Sequence, residues 1–405
     1  MRPVILLVGT ADTKADELRY LQSEVARAGG RGLVMDVGVL GEPGLAVDVD
    51  RHAVAAAAGL DIAGVAALGD ENHAMQAMAR GAAALARELR ARGELDGCLA
   101  IGGTMGTDLA LDVMAALPLG TPKVLVSSVA HSHLVPPERL AADLIAILWA
   151  GGLWGLNTAC RAVLRQAAGA AVGAARAAGA VEWERPAVGI SSLGSACCRY
   201  LDFCLPALEQ RGYESIVFHA TGSGGRSLEA LAAEGRLAAV LDLCLIEVSD
   251  HALGSIVSAG PARLETAGRL GIPQVVAPAG VDAVDIATWQ PVPRRLRGRP
   301  VHAHNRLISV VRTTADEKRR VGRAVARKLN RATGPTAFAM PLGGVDEWDR
   351  SGQPMHDPDG LAAMAAEIRR TLHPRVRYVE SEAHVNDEAF SRLVLELFDE
   401  VTGAC

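Results

Sequence analysis

The sequence predicts an α/β protein with two domains, each a mainly parallel sheet flanked by helices, the first of them Rossmann-like. Short apolar runs alternate with amphipathic stretches of helical period along most of the chain. At 405 residues the chain is longer than one hydrophobic core usually supports. The pattern breaks at the charged, proline-containing residues 181–186 and then restarts. We therefore predict domains over residues 1–182 and 183–405.

The first predicted strand, residues 4–8, runs into a short polar turn. The turn consists of Gly9, Thr10, Ala11, Asp12, Thr13 and Lys14. A helix predicted over residues 15–28 follows at once, so its free backbone N–H groups would face a ligand above the strand's carboxyl end. The turn is neither a Walker loop nor a G-x-G-x-x-G fingerprint. Either it binds an anion, or Asp12 and Thr13 only cap the helix.

Three later strand ends are predicted to share this site. The strand at residues 32–35 ends in Asp36, about 20 residues after the turn, where mononucleotide folds place an acid on a ribose hydroxyl. The strand at residues 96–102 leads into a second glycine loop, and the following strand ends in Ser127 and Ser128. The second glycine loop contains Gly102, Gly103, Thr104, Gly106 and Thr107. Because parallel strands all end at one edge of a sheet, we expect one crevice that holds a phosphate or nucleotide.

Residues 140–178 are predicted to be helical and to complete the first domain. In the second domain, strands again alternate with helices, which predicts a second parallel α/β layer or a partial barrel. The strands are predicted over residues 187–192, 215–219, 240–247, 273–277 and 334–341, and helices over 198–211, 227–233 and 387–402. The acidic run at residues 346–349 is interpreted as a solvated loop.

Candidate catalytic residues lie in this second domain. His219 and Glu247 each end a predicted strand, and His304 and His384 are expected at the same edge. A histidine beside a carboxylate can act as a general base, and the same set could hold a divalent metal such as Mg²⁺. The alternative is that each histidine only anchors a loop by hydrogen bonds.

The glycine loop at residues 222–225 precedes a helix and is followed by Arg226. Backbone N–H groups and a guanidinium together suit the carboxylate or phosphate of a small-molecule substrate. A flexible turn is the alternative interpretation. Within this hypothesis Arg226 grips the substrate while His219 transfers a proton.

Composition excludes several classes of partner. A net charge of −5 provides no basic stripe, and 3% aromatic residues provide few stacking surfaces, so we expect no nucleic-acid partner. The longest apolar stretch, residues 144–156, is too short to span a bilayer, and the N-terminus lacks a signal peptide. We expect a cytoplasmic protein without a membrane partner. The apolar excess near residues 144–180 predicts a homodimer or a larger homo-oligomer.

Motifs along the whole chain resemble those of the UPF0261 family, whose members carry a Tm-1-like ATP-binding domain. The motifs are residues 9–14, 101–107, 117–127, 155–157, 217–226, 258–265, 304–305, 312–314 and 384–387. The resemblance implies ATP in the first domain, with Asn157 among the binding residues, and a dimer. Residues 127–139 depart from the family pattern, which predicts altered chemistry in the loop over the nucleotide crevice.

Three functions remain as hypotheses. The first is a protein that binds ATP or a related phosphate ligand in the first domain and is an enzyme acting on a small oxygenated substrate in the second. The second is a C–C bond-cleaving or hydrolytic enzyme on a keto acid or phospho-acid that does not use ATP. The third is a nucleotide-gated binding or inhibitory module.

Overall fold

The computed structural model describes residues 2–179 and 183–403 and divides the chain into two compact units, Met1–Glu182 and Trp183–Cys405. Both units contain a parallel sheet with helices on its two faces. The predicted α/β fold class is therefore confirmed.

The first unit has five strands in the order β2-β1-β3-β4-β5, all parallel. The strands are β1 (Val4–Gly9), β2 (Arg31–Asp36), β3 (Gly97–Gly102), β4 (Lys123–Ser127) and β5 (Leu144–Leu148). The helices are α1 (Ala15–Arg27), α2 (Arg51–Ala57), α3 (Ile62–Ala66), α4 (Glu71–Ala91), α5 (Thr104–Ala115) and α6 (Thr158–Ala177). One apolar core lies beneath α1 and α6, and a second lies beneath α2 to α5. Burial on both faces explains why the central strands are continuously apolar.

One segment of the first unit differs from its prediction. Residues 140–178 were expected to be helical, but Leu144–Leu148 forms the edge strand β5, paired with β4, and only Thr158–Ala177 is helical. A five-residue apolar run has no periodicity that separates a strand from a helix. Gly151 and Gly152 lie in the irregular segment between the end of β5 and the start of α6.

The second unit has six parallel strands in the order β14-β13-β9-β8-β6-β7, and a three-stranded antiparallel sheet, β10-β12-β11. The strands are β6 (Ala187–Ser192), β7 (Glu214–His219), β8 (Leu237–Cys244), β9 (Gln274–Ala279), β10 (Ala283–Ala287), β11 (Val301–Ala303), β12 (Ile308–Arg312), β13 (Thr336–Pro341) and β14 (Arg377–Ser381). The helices are α7 (Leu201–Gln210), α8 (Ser223–Ala233), α9 (Ile246–Leu253), α10 (Thr266–Arg269), α11 (Ala315–Leu329), α12 (Pro358–Thr371) and α13 (Glu388–Thr402). The sequence predicted either a parallel α/β layer or a partial barrel. The structure has the open layer, with β14 and β7 at the edges of the sheet.

Two boundaries in this unit matter for the site. The run at residues 240–247 was predicted as one strand, but β8 ends at Cys244 and α9 begins at Ile246, so Glu247 lies on a helix. The helix after the glycine loop begins at Ser223, not at residue 227. Two of the loop's glycines therefore lie in the first turn of α8.

Within residues 2–179 and 183–403, no helix combines the length and the apolar character that crossing a membrane requires.

Candidate functional site

The first unit has a crevice at the carboxyl ends of β1 and β3. These strands are neighbours at the centre of the sheet, and the chain leaves them toward opposite faces, through α1 and through α5. Open α/β sheets bind ligands at this kind of switch point, because the two connecting loops separate and leave a gap. The crevice therefore lies between the predicted turn at residues 9–14 and the predicted glycine loop.

Both helices that start at this crevice begin without a side-chain cap. The residue before α1 is Lys14 and the residue before α5 is Gly103, and neither side chain accepts a hydrogen bond from the helix. A Cβ atom added to Gly103 would have Ser128 Oγ, 3.9 Å away, as its nearest neighbour, so the space above this backbone is open. At Gly102 a Cβ would lie 2.5 Å from the backbone of Gly106, so only glycine allows α5 to start this close to β3.

The turn after β1 adds hydroxyl groups and one cation. The hydroxyls of Thr10 and Thr13 are 2.5 Å apart. The Lys14 ammonium donates to the Leu153 carbonyl and lies 4.7 Å from the ring centroid of Trp154. The cation is thus fixed at one place beside the turn.

Other predicted members of this site have different roles in the structure. The Asp36 side chain is buried, and its Oδ1 accepts from the N–H groups of Ala11 at 2.8 Å and Gly38 at 2.9 Å. Asp36 therefore holds the two loops together instead of facing a ribose. Thr107 and Ser127 are also buried, with their hydroxyls 2.7 Å apart.

Two further predicted residues are also used internally. Asn157 caps α6, because its Oδ1 accepts from the Cys160 N–H at 2.9 Å. Asp12 Oδ2 accepts from the Gly41 N–H at 3.1 Å. From the predicted set, the structure leaves these residues at least partly accessible: Thr10, Asp12, Thr13, Lys14, Gly103, Thr104, Gly106, Ser128 and Asn157.

The second unit contains a cavity of about 140 Å³ at the carboxyl ends of its parallel strands. Its walls come from the loops that follow β6, β7, β9 and β13, and from the tip of the β11–β12 hairpin. His219 and His304 both line it, as predicted from their positions at this edge. Both histidines are exposed, and the His304 ring lies 5.3 Å from the Trp348 ring between centroids.

Asp282 is the most unusual group in this cavity. It follows β9, is 1% exposed, and neither of its carboxyl oxygens has a hydrogen-bond partner. Its backbone carbonyl accepts from the N–H of Thr313 at 2.8 Å and from the Thr313 hydroxyl at 2.6 Å, which fixes the main chain. Burial, together with the nearby carboxyls of Asp346 and Asp349, raises the pKa of Asp282 well above its ordinary value. A buried carboxylate without donors is costly, so the acid is held in its neutral form.

Two other carboxyls line the same cavity. Burial raises the pKa of Asp285 to about 7. Burial also raises the pKa of Asp346 to about 6. Asp346 is engaged on both oxygens, since it accepts from the Trp348 N–H at 2.8 Å and from the Cys197 thiol at 3.3 Å. Carboxyls with pKa values near neutral can give and take protons at physiological pH.

Glu247 does not line this cavity, and its carboxylate is hydrogen-bonded within the protein itself. Its side chain is fully buried, with Oε1 accepting from Gly222 N–H at 2.6 Å and Gly225 N–H at 3.0 Å. Oε2 accepts from Arg263 Nε at 2.7 Å. The glycine loop does cradle an anion, but that anion is the protein's own carboxylate. Arg226 does not line the cavity either, so the predicted substrate clamp is not assembled there.

His384 also lies outside the cavity wall. It is buried, and its Nε2 lies 3.0 Å from the Asp346 carbonyl oxygen and 3.2 Å from Asp349 Oδ1. His384 therefore supports the loop after β13 from behind. The run at residues 346–349 is correspondingly not a solvated loop, because Asp346 and Asp349 are both buried.

Sequence reasoning missed Asp282, Asp346 and Trp348. A signal for Asp282 existed: it is an acid three residues after the apolar run at residues 273–279, near the carboxyl end of a strand. No comparable signal marks Trp348, which reaches the cavity through the fold of its loop. Among the residues that the structure describes, no group of three or more histidine, cysteine or acidic side chains is arranged to hold a metal ion.

The fold and these sites define a two-domain protein of doubly wound α/β sheets, with a candidate ligand site at the carboxyl edge of each sheet. The chain belongs to the UPF0261 family: the model described as "Uncharacterised protein family (UPF0261) N-terminal domain" matches residues 3–180, and the C-terminal domain model of that family matches residues 185–402.

Relatives support the same assignment. A UPF0261 protein of Brucella melitensis is 49% identical over 397 residues, covering 98% of this chain and 95% of the relative. A UPF0261 protein of Clostridium tetani is 34% identical over 393 residues, covering 96% and 97%. The ToMV resistance protein Tm-1 of Solanum lycopersicum is 28% identical over 429 residues, covering 99% of this chain and 56% of that protein. Among solved structures, a UDP-N-acetylglucosamine 2-epimerase covers 68% of this chain and 79% of its own at 10% identity, with a TM-score of 0.24 that carries no argument.

Proposed function

We propose that this protein binds ATP or a related phosphate ligand in the crevice of its first unit and is an enzyme that acts on a small oxygenated substrate in the cavity of its second unit. The observation that carries the enzymatic part is the shared cavity of His219 and Asp282. An imidazole and a buried neutral carboxyl in one cavity form a pair that can accept and donate a proton.

His219 and Asp282 have distinct roles in this proposal. His219 is exposed and lines the cavity, so its imidazole can reach a bound substrate and act as the base. Burial raises the pKa of Asp282 and favours its protonated form, which is available as the acid or as a hydrogen-bond donor to a substrate oxygen. Proton transfer next to a carbonyl or hydroxyl group is the chemistry that such a pair supports.

The geometry of the first crevice supports the phosphate part of the ligand. Gly103 and Thr104 would direct backbone N–H groups at phosphate oxygens, with the hydroxyls of Thr10 and Thr13 on the other side. Bound ATP would supply a phosphoryl group or a conformational signal. Its ribose would need a partner other than Asp36, because that side chain is buried and its Oδ1 already accepts two backbone N–H groups.

The first test measures the phosphate site. Gly103→Val adds bulk to the open space above the backbone, and we expect it to weaken ATP or inorganic phosphate binding by at least ~10-fold, because phosphate needs close backbone approach. Gly169→Ala, at a helical glycine with no atom within 4 Å of the added Cβ, is the matched control and should bind as the wild type does. Isothermal titration calorimetry on the folded variants measures both. Unchanged affinity in Gly103→Val contradicts this site.

The second test measures the chemistry. Turnover of the wild type is screened against keto acids, phospho-acids and hydroxylated compounds, with and without ATP. His219→Ala should then lose turnover by ~10²-fold or more without a lower unfolding temperature, because a positioned proton-transfer group contributes that much. Turnover that does not depend on ATP favours a lyase or hydrolase, and ATP binding without any turnover favours a nucleotide-gated binding module.

A further inference from the structure

The cavity of the second unit has acidic walls. Its acidic lining residues are Asp282, Asp285 and Asp346, and none of the described residues that line it is a lysine or an arginine. An anionic ligand would therefore meet carboxyl groups without a counter-charge. The sequence had suggested a ligand with a phosphate or carboxylate group for this unit. The cavity instead favours a ligand that carries a positive charge.

Two cations buried in this unit are held by other acids. Lys318 is buried, and its Nζ lies 2.6 Å from Asp357 Oδ2. Arg263 is fully buried and is paired with Asp242 and Glu247. Breaking either pair to reach a ligand would leave a buried charge without a partner, which is strongly unfavourable. The ligand itself must then supply the positive charge.

Of the three carboxyls in this cavity, Asp282 is the one whose oxygens accept no hydrogen bond. Asp346 already accepts two hydrogen bonds, and Asp285 shares a side-chain hydrogen bond with Asp250. Asp282 has two free oxygens at 1% exposure. An ammonium group has three donors and no acceptor, so it complements this carboxylate directly.

The remaining walls suit the carbon skeleton of an organic molecule. Ile246, Val257 and Ile308 contribute apolar surface. The half-buried Trp348 ring contributes an aromatic face beside His304. Aromatic faces attract organic cations, whereas a bare metal ion needs several oxygen or nitrogen ligands at one point.

We propose that this cavity binds a small oxygenated molecule that carries a protonated amino group, with the ammonium against the Asp282 carboxylate. This inference rests on the proposed function and names the substrate class of the same cavity: in the amine complex Asp282 binds the ammonium as a carboxylate, and His219 keeps the proton-transfer role. The ammonium end is fixed at Asp282, which places the oxygenated end of the molecule in the rest of the cavity, whose walls include His219.

Such binding must be linked to proton release. The titratable groups that line the cavity with Asp282 or neighbour it are these: Asp285 on β10, His219 after β7, His304 on the β11–β12 hairpin, Asp346 and Asp349 after β13, Lys318 on α11, Cys197 after β6, and His384 behind Asp346. In the free protein the Asp282 carboxyl is neutral, and an ammonium stabilises its ionised form. The proton therefore leaves when the amine binds, and amine affinity rises with pH until the amine itself deprotonates.

The test is titration calorimetry of the full chain with ethanolamine and with 1,4-diaminobutane, set against pyruvate, inorganic phosphate and MgCl₂. Two buffers without primary amines and with different ionisation enthalpies report proton release. We expect the amines to bind with release of a proton and with an affinity that increases about tenfold or more between pH 6 and pH 8. Asp282→Asn should weaken amine binding at least ~10-fold and abolish the proton release. Asp316→Asn, at an exposed acid on α11, should change neither.

Three results would overturn the inference: pyruvate or phosphate binding with proton uptake, Mg²⁺ binding that needs Asp282 while the amines do not bind, or no amine binding at ~10 mM. Unfolding temperatures of both variants confirm that they are folded. His219-dependent turnover of an anionic substrate would end the ammonium proposal and leave the enzyme proposal standing. Asp282-dependent amine binding without turnover would support the ammonium proposal and contradict the enzyme proposal.

Discussion

Glu247, Arg263 and Asp242 form an ion-pair cluster with almost no contact with solvent. Arg263 Nε lies 2.7 Å from Glu247 Oε2, and Arg263 Nη2 lies 2.7 Å from Asp242 Oδ1. The same Glu247 carboxylate closes the glycine loop, because a Cβ at Gly225 would come within 1.8 Å of Glu247 Oε2. The loop, α8 and α9 therefore depend on a single carboxylate.

Glu247→Gln should accordingly reduce stability. The substitution keeps the side-chain shape but leaves Arg263 buried with one partner fewer, and we expect a loss of about 3–5 kcal/mol in the free energy of unfolding. Thermal and urea unfolding followed by circular dichroism measure the loss. His219→Ala, which removes an exposed ring, is the control and should unfold like the wild type. A Glu247→Gln protein as stable as the wild type would show that the cluster is dispensable.

At this scale the sequence predicted positions better than roles. Strand-end patterns correctly indicated that His219 and His304 belong at the ligand edge, because parallel strands end on one side. The pattern could not show that Glu247 turns inward, since that depends on Arg263, 16 residues later in the chain. Charge alone also misplaced Asp346, whose burial follows from packing against the rest of the unit.

The loop after β9, the strand β10 and the loop after β13 bring Asp282, Asp285 and Asp346 to one cavity, where burial favours their protonated forms. Their pKa values are raised by burial, to about 7 for Asp285 and about 6 for Asp346. In the unfolded chain an aspartic acid ionises near pH 3.9. Folding therefore takes up protons, and the stability that these groups provide is complete at low pH and is lost as the pH rises through the folded-state pKa values.

We expect the unfolding temperature of the second unit to fall between pH 5 and pH 8 because of these groups. Asp285→Asn should reduce the pH dependence of the unfolding temperature. It should also raise the unfolding temperature at pH 8, by about 2–4 °C for each kcal/mol gained in the free energy of unfolding. Differential scanning calorimetry across the pH range measures both effects, with Asp316→Asn as the exposed control. A stability that rises from pH 5 to pH 8 and is insensitive to Asp285→Asn would contradict the raised pKa values.

Element boundaries show why part of the fold could not be predicted. Long amphipathic segments such as α1 and α13 have enough turns for their period to be recognised. The strand β5 and the join between β8 and α9 are short apolar runs in which strand and helix look alike. The β10–β12 hairpin sheet went unpredicted, although it forms part of the cavity wall.

At the scale of the whole molecule, the predicted homodimer has a candidate surface in the first unit. The strand β5 is the edge of its sheet, and Ile145 is 40% and Leu148 is 49% exposed. An exposed apolar edge strand offers unpaired backbone groups to another strand, and natural proteins usually protect such edges with charge. Here the sequence of the strand is entirely apolar, Leu-Ile-Ala-Ile-Leu.

We propose that two copies of the chain pair through β5 about a two-fold axis, since an isologous contact matches identical edges. Multi-angle light scattering at micromolar concentration should then give twice the mass of the chain. Ile145→Lys places a charge on the edge and should give the monomer with an unchanged fold, whereas Leu270→Lys, at a residue 48% exposed in the second unit, should remain dimeric. A monomeric wild type would contradict the dimer itself, and a dimeric Ile145→Lys protein would place the contact on another surface. Because the edge pairing joins backbone to backbone, Ile145→Val, which keeps an apolar β-branched side chain, should preserve the dimer.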